Sequence, residues 1–243
     1  MSFSKELLTL KERVLDELAP SFRRIEQMSE ENTLKVLTAM RECKVSDIHF
    51  NTSSGYAYDD IGRSKLEELY AKVFAAESAL VRTQFVSGTH ALATVLFGIL
   101  RPGDKIISLT GTPYDTMQTV IGYTASSSGS LKEYGILYDE LPLNEGRVDV
   151  ERIADVLDER TKMVLIQRSR GYSERKPLSI EDIRAVSARI KAANPNCIVF
   201  VDNCYGEFVD TVEPTEIADV DIMAGSLIKN PGGGLAPTGG YIV

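Results

Sequence analysis

Apolar residues near the start of the chain recur among lysines and glutamates at intervals of three and four, the period of a helix. They are Leu7, Leu8, Leu10, Val14, Leu15 and Leu18. The pattern predicts a helix up to Pro20, because proline lacks the N–H group that a continuing helix needs. A second helical stretch is predicted from about Thr33 to Arg41, so residues 1–45 form an N-terminal helical segment. Residues 46–63 are polar, aromatic and glycine-containing, which indicates a loop or arm before a helix that begins at Ser64.

Short apolar runs then alternate with helix-period segments. Helices are predicted over 90–100, 114–121, 149–157 and 180–193, and extended segments over 105–109, 135–143, 162–167, 197–201, 222–226 and 239–243. This alternation predicts the α/β class, with a three-layer αβα arrangement in which a mainly parallel sheet carries helices on both faces. Residues 46–243 would form this large domain. Because the chain reaches Val243 inside an apolar strand, we expect a small C-terminal domain to be absent from it.

Composition narrows the class of partner. The 243 residues can bury one sizeable core, and a net charge of −8 argues weakly against nucleic acid or an anionic membrane as the main partner. Cys43, Cys197 and Cys204 form no CxxC pair, which favours a reducing compartment. No apolar run approaches the length of a membrane span, and the N-terminus is too charged for a secretory signal. We therefore expect a cytoplasmic protein.

An acid and an amine follow two of the predicted strands. Asp202 comes directly after the run Cys197–Val201, and a second strand is predicted to end at Lys229, before the glycines at 232–234. Parallel strands would bring both to one carboxyl edge, where open α/β sheets bind ligands. Pyridoxal phosphate (PLP) needs such a pair: a lysine that bonds to it and an acid facing its ring nitrogen. Alone, Lys229 could simply extend to solvent and Asp202 could be a turn residue; together they favour PLP.

The segment Ser87-Gly88-Thr89-His90 opens a predicted helix after the apolar run 79–81. Small residues let backbone N–H groups approach a phosphate, and a helix N-terminus favours an anion. Taken alone, an ordinary N-cap by Ser87 or Thr89 explains the segment better. The GxxxxGK[ST] and GxGxxG patterns are absent, so nucleotide binding is a weak alternative.

Tyr114 follows the strand predicted over 105–109 and would stand at the same carboxyl edge. There its ring could stack on a flat cofactor, although a surface tyrosine in a proline turn explains it equally well. His90 is a competing stacking residue. The only other histidine is His49, and this scarcity argues against a metal site.

Together these pieces resemble the fold-type I PLP enzymes: a Gly-Thr loop, an aromatic residue, a strand-end aspartate, then a lysine. The segments 55–63 (GYAYDDIGR), 84–91 (QFVSGTHA) and 167–172 (QRSRGY) are similar to bacterial methionine γ-lyase-like, or aluminium-resistance, proteins, which are relatives of the cystathionine lyases. The resemblance covers the chain from about residue 45 onward. It is specific for fold and cofactor, and much less so for substrate.

The resemblance implies a role for each matching residue. Lys229 would bond to PLP, Asp202 would face the ring nitrogen and Tyr114 would stack on the ring. Ser87, Gly88, Thr89, His90 and Ser226 would surround the cofactor and its phosphate. The arm with Tyr56, Tyr58 and Arg63 would reach the phosphate of a neighbouring subunit, in a homodimer or homotetramer with shared active sites.

The chain also departs from the family pattern. Ile228 stands before the lysine where relatives carry a threonine, and Asp60 stands where their arm has an arginine. The implied activity is a carbon–sulfur lyase acting on a sulfur amino acid. Another PLP reaction, such as transamination or aldol cleavage, and a non-catalytic binding protein of the same fold remain open alternatives.

Overall fold

The computed structural model describes residues 3–53, 60–82, 84–123 and 128–243. Its helices are α1 (Lys5–Glu42), α2 (Ile61–Val73), α3 (Gly88–Ile99), α4 (Asp115–Ile121), α5 (Ile153–Val156) and α6 (Ile180–Ala193). Its strands are β1 (Leu80–Arg82), β2 (Lys105–Ser108), β3 (Leu137–Glu140), β4 (Thr161–Gln167), β5 (Ile198–Asp202), β6 (Ile222–Ser226) and β7 (Gly240–Ile242). Short 3₁₀ turns lie at Asp47–Phe50, Val150–Arg152 and Pro214–Glu216.

The seven strands form one sheet in the order β1-β7-β6-β5-β4-β2-β3. β3, β2, β4, β5 and β6 run parallel, whereas β7 is antiparallel to β6 and to β1. The predicted mainly parallel α/β sheet is confirmed. The antiparallel edge was not anticipated, because strand direction depends on how the chain returns to the sheet and not on the apolar pattern of a strand.

Alternate residues of the central strands point to opposite faces, and each face is covered by helices. On one face Val164, Val199 and Val201 pack with α6 and with parts of α1 and α2. On the other face Met163, Leu165 and Phe200 pack with α3 and α4. The strands are apolar on both faces, as expected for a sheet buried between two helical layers. The predicted three-layer arrangement is confirmed.

The N-terminal segment is one continuous helix, so the predicted stop at Pro20 was wrong. α1 contains 38 residues with Pro20 inside it, and Ser4 caps its first turn by accepting a hydrogen bond from the amide of Leu7. Pro20 and its surroundings are exposed, and the carbonyl that loses its partner can bond water there. The loss of one helical hydrogen bond at Pro20 is therefore tolerated. Residues 21–32, which the apolar pattern left unassigned, continue the helix.

Three other boundaries differ from the sequence-based expectation. α2 begins at Ile61, not Ser64, because the carboxylate of Asp60 caps it by accepting from the amide of Arg63 at 3.0 Å. The helix predicted over 149–157 divides into a 3₁₀ turn and the short α5. β6 ends at Ser226, and Lys229 lies in the following turn, where its amide bonds the carbonyl of Ser226 at 3.2 Å.

A buried carboxyl, Glu207, lies against β6 and β7, beside Gly225 and Tyr241. It accepts a hydrogen bond from the hydroxyl of Tyr241 at 2.8 Å, and its second oxygen is buried without a partner among the described residues. Burial, with smaller contributions from the charges of Glu213 and Asp202, raises the pKa of Glu207 from 4.5 to about 8. In the folded protein this carboxyl therefore keeps its proton in neutral solution.

We expect this group to make stability fall with rising pH. Between pH 4.5 and about 8 the unfolded chain releases the Glu207 proton and the folded chain retains it, so the contribution is complete below pH 4.5 and is lost as the pH rises through about 8. Glu207→Gln should give a shallower decline of Tm across this window. The exposed Glu151→Gln serves as the control and should leave the slope as in the wild type. Equal slopes in all three proteins would contradict the assignment.

Among the described residues, no helix combines the length and the apolar character that crossing a bilayer requires.

Candidate functional site

A cavity of about 410 Å³ opens at the carboxyl edge of the parallel strands. It brings together seven of the residues that the sequence predicted for the site. They are Ser87, Gly88, Thr89, Tyr114, Asp202, Ser226 and Lys229. They come from the start of α3, the start of α4, the end of β5 and the end of β6, which lie far apart along the chain. The convergence follows from parallel strands delivering their ends to one edge.

Asp202 is the last residue of β5 and is only 2 % exposed. Its carboxylate accepts the amide of Cys204 at 3.1 Å and a hydrogen bond from the Cys204 thiol. Burial raises the pKa of Asp202 to about 6, against the opposing effect of these two donors. A cation placed in the cavity would favour the ionised form of Asp202. The site is therefore suited to a positively charged ring atom beside the two carboxylate oxygens of Asp202.

Lys229 is half-buried and directs its amine toward Tyr205. The Nζ atom donates a hydrogen bond to the Tyr205 hydroxyl and lies 4.2 Å from the centroid of the same ring. Next to the lysine, Asn230 donates from its side chain to the carbonyls of Tyr205 and Glu207. These bonds join the turn after β6 to the turn after β5, and so fix the amine near the acid-bearing strand end.

The start of α3 forms the wall of the cavity next to β6. Ser87 is the N-cap, and its hydroxyl accepts the amide of His90 at 3.1 Å. The amides of Gly88 and Thr89 precede the first intrahelical bond and are oriented outward from the helix end. Ser226 lies against Gly88 and accepts the amide of Ile228 at 3.3 Å, which leaves its hydroxyl hydrogen able to donate. Two amides and a hydroxyl thus surround one end of the cavity, where a phosphate would be favoured.

Glycine is required at position 88 because neighbouring atoms leave no room for a side chain, and not because the backbone adopts a conformation that favours glycine. A Cβ atom at this position would stand 2.9 Å from Cβ of Ser226 and 3.3 Å from Sγ of Cys204, so α3 would have to move away from β6. We expect Gly88→Ala to weaken binding of a phosphate-bearing ligand at least tenfold, because a shift of the helix start misplaces its amides. Equilibrium titration with PLP measures this.

Gly98→Ala is the matched control, since it lies in the same helix with open space around it. It should leave affinity unchanged and raise stability by up to about 1 kcal/mol, the difference in helix propensity between alanine and glycine. Equal affinities of the two variants would show that the start of α3 does not hold the ligand.

Tyr114 lines the cavity above the strand ends, at the start of α4. Its hydroxyl hydrogen-bonds to Thr89 and Thr116, and those two threonines bond each other at 2.9 Å. Burial, with a smaller contribution from the charge of Asp202, raises the pKa of the Tyr114 hydroxyl well above its usual value. The Tyr114 hydroxyl therefore stays protonated, and the uncharged aromatic ring can stack on a planar ligand in the cavity.

The remaining predicted residues lie elsewhere or outside the described ranges. The ring of His90 accepts the amide of Val86 at 3.3 Å and meets Phe85 edge-on, and His90 is not part of the cavity lining. Arg63, in the first turn of α2, lines a separate groove between α1 and α2. Tyr56 and Tyr58 lie outside the described residues. The predicted roles of this arm in a neighbouring subunit remain predictions.

The structure adds cavity residues to which the sequence analysis assigned no role. Cys204 and Tyr205, in the turn after β5, line the cavity, as do Ser169, Gly171 and Tyr172 from the turn after β4. Their position immediately after two strands was the available signal, since residues that follow parallel strands share the ligand edge. Burial and the charge of Asp202 raise the pKa of the Cys204 thiol, so it stays protonated and donates to that carboxylate.

Within the described ranges, no group of three or more His, Cys, Asp or Glu side chains is arranged to hold a metal ion.

Comparison with known proteins places this architecture in a family. The sequence profile described as Methionine gamma-lyase matches residues 7–243. The chain belongs to the methionine gamma-lyase family. Among relatives of this family, the Bacillus subtilis (strain 168) protein YnbB is 49% identical over 229 residues, which cover 93% of this chain and 54% of YnbB.

Solved structures of the family agree closely with the fold. A Clostridium novyi NT protein described as a carbon-sulfur lyase involved in aluminum resistance is 49% identical with a TM-score of 0.93, over 98% of this chain and 57% of that one. A Listeria innocua protein, described as a candidate cystathionine beta-lyase involved in aluminum resistance, is 51% identical with a TM-score of 0.95, over 100% of this chain and 59% of that one. The chain spans little more than half the length of these relatives.

Proposed function

We propose that this chain forms the cofactor-binding part of a PLP-dependent carbon–sulfur lyase that acts on a sulfur amino acid. The observation that carries the proposal is the meeting of Asp202 and Lys229 on one cavity, at the ends of neighbouring strands. Membership of the methionine gamma-lyase family and the carbon-sulfur lyase named among its solved members support the chemistry.

The residues present fit PLP, a flat cation-forming ring that bears a phosphate. The contact of Gly88 with Ser226 leaves no room for a Cβ atom, and it places the amides of α3 beside a hydroxyl where a phosphate would lie. Asp202 supplies a buried carboxylate for the ring nitrogen, and Tyr114 supplies a neutral aromatic face. Lys229 supplies the amine. The set thus contains the four kinds of group that this cofactor requires.

When bound, PLP withdraws electrons from the substrate's α-carbon, which makes loss of the α-proton and then of a thiol possible. The residues of this chain divide the remaining work. Lys229 Nζ takes the α-proton as general base, from its position at the cavity wall. Asp202 holds the proton on the ring nitrogen, and Cys204 orients Asp202 by donating two hydrogen bonds to it. Tyr114 keeps the ring plane fixed, and the start of α3 anchors the phosphate.

Assembly and substrate belong to the same proposal. We propose a homodimer or homotetramer, in which the arm containing Tyr56, Tyr58 and Arg63 reaches a neighbouring cavity. The small-molecule substrate is a cysteine, cystathionine or methionine type of amino acid. A panel of these compounds, scored for pyruvate or 2-oxobutyrate together with a thiol, separates elimination from transamination.

The cofactor assignment is tested by covalent mapping. The purified protein is saturated with PLP, reduced with borohydride and digested, and the peptides are analysed by mass spectrometry. We expect the pyridoxyl group on Lys229 and none in the Lys229→Arg variant. A pyridoxyl group on another lysine, or none in the saturated wild type, would overturn the proposed function.

A further inference from the structure

Tyr205 is the side chain that contacts the reactive amine. Lys229 Nζ donates to its hydroxyl and also lies 4.2 Å from its ring centroid. An ammonium group is attracted both by a hydroxyl oxygen and by the negative face of an aromatic ring. The two contacts hold the amine at one place on the cavity wall, beside the turn that follows Asp202.

The backbone of Tyr205 is unusual for a tyrosine. Its φ angle is 67°, in the left-handed region that residues with a bulky side chain rarely adopt. The side chain is 57% exposed, so burial of the ring in the core does not account for the conformation. A strained residue whose side chain touches a reactive group points to function rather than to packing.

The turn that carries Tyr205 is held on both sides. The amide of Gly206 bonds the carbonyl of Asn203 at 2.7 Å, and the buried guanidinium of Arg168 bonds the carbonyl of Gly206 at 2.7 Å. From the other side, Asn230 donates to the carbonyl of Tyr205 at 3.3 Å. Asn230, the residue after Lys229, is therefore bonded to Tyr205, whose hydroxyl accepts a hydrogen bond from the Lys229 amine. Lys229 and Tyr205 are thus fixed relative to each other.

We propose that Tyr205 is a further catalytic residue, which holds the Lys229 amine over the cavity whenever the amine is not bonded to the cofactor. The inference rests on the proposed function, because it concerns the amine that bonds to PLP. Held in this way, the nitrogen lies ready to attack the aldehyde carbon once the ammonium group has released one proton to solvent. The nitrogen forms a bond to that carbon and gives up two protons, and the aldehyde oxygen leaves as water.

The test measures attachment of PLP and not turnover. Cofactor-free wild type, Tyr205→Phe and Tyr205→Leu are mixed with PLP, and bond formation is followed by rapid-mixing absorbance. We expect the attachment rate to fall roughly tenfold in Tyr205→Phe, the scale of one lost hydrogen bond to a charged group, and further in Tyr205→Leu, which also lacks the ring. Tyr134→Phe, an equally exposed tyrosine at 59% outside the cavity, should attach PLP at the wild-type rate.

A second ligand separates placement of the amine from damage to the cavity. Pyridoxine 5′-phosphate has no aldehyde and cannot bond to the lysine, so its equilibrium affinity should stay within about twofold of the wild type in both Tyr205 variants, because the phosphate and ring contacts are retained. An unchanged attachment rate in Tyr205→Phe, or a parallel loss of affinity for this analogue, would overturn the inference. If the wild type itself attaches no PLP at Lys229, the proposed function fails first and the inference fails with it.

Discussion

Under the proposed function, replacing Asp202 by asparagine in the full-length enzyme is expected to lower the turnover of a sulfur amino acid by roughly two to three orders of magnitude, the usual scale for one electrostatic partner removed from an active site. In that proposal the carboxylate would stabilise a proton on the ring nitrogen of PLP, whereas a neutral amide would not. The fold should persist, because asparagine can still accept the amide of Cys204 and buries no charge. The measurement is keto acid release at saturating PLP, with circular dichroism as the check on folding.

Glu140→Gln is the control for this change. Glu140 also ends a parallel strand at the same sheet edge but lies outside the cavity lining, so its loss of charge should leave turnover close to that of the wild type. Unchanged turnover in Asp202→Asn would mean that Asp202 has only a structural role.

Replacing Arg168 by methionine is expected to destabilise the protein by about 3–5 kcal/mol, the usual cost of removing one partner from a buried ion pair. Arg168 is 1% exposed, and its guanidinium bonds Asn203 at 2.9 Å and Asp210 at 2.6 Å, with Glu213 at 3.7 Å. Methionine fills similar space but leaves the buried Glu213 and Asn203 without this donor. Chemical denaturation gives the free energy of unfolding.

The substitution Arg168→Met should also alter the shape of the cavity, because Arg168 supports the turn that carries Cys204 and Tyr205. We expect PLP affinity to fall together with stability. Arg160→Met is the matched control: its side chain is 64% exposed and contacts Asp158 at 3.8 Å, so its removal should change stability by less than about 1 kcal/mol. A destabilisation of that small size in Arg168→Met would contradict the buried network.

The parallel part of the sheet was predictable because its central strands are apolar on both faces and are bounded by turn residues. The alternation of strands and helices then specified the layers. Pro20 misled the prediction because local propensity treats proline as a stop, whereas an exposed helix can lose one hydrogen bond to water. The start of α2 was missed because Asp60 was assigned to an arm, although its carboxylate is an ordinary N-cap.

The cavity was predictable to the extent that its residues follow strands. Asp202 and Tyr114 were found from that rule, and the start of α3 was found from its small residues at a helix N-terminus. Lys229 was found although β6 ends earlier than expected. Tyr205 was missed because its contact with Lys229 depends on a left-handed backbone that no sequence pattern announces. The role of Arg168 was hidden for a similar reason, since its partners come from a turn that follows a different strand.

The position of β1 at the far edge of the sheet bears on how the protein is made. β1 pairs with β7, so Leu80 meets its partner Ile242 only after all residues up to Ile242 have been synthesised. α3 follows β1 and packs on β6 and β7, which are also late strands. On the ribosome, the nascent chain therefore cannot fix the start of α3 until residue 242 has emerged, and such long-range closure is slow. A nascent chain that stalled before residue 242 would leave the apolar face of α3 exposed to chaperones and proteases.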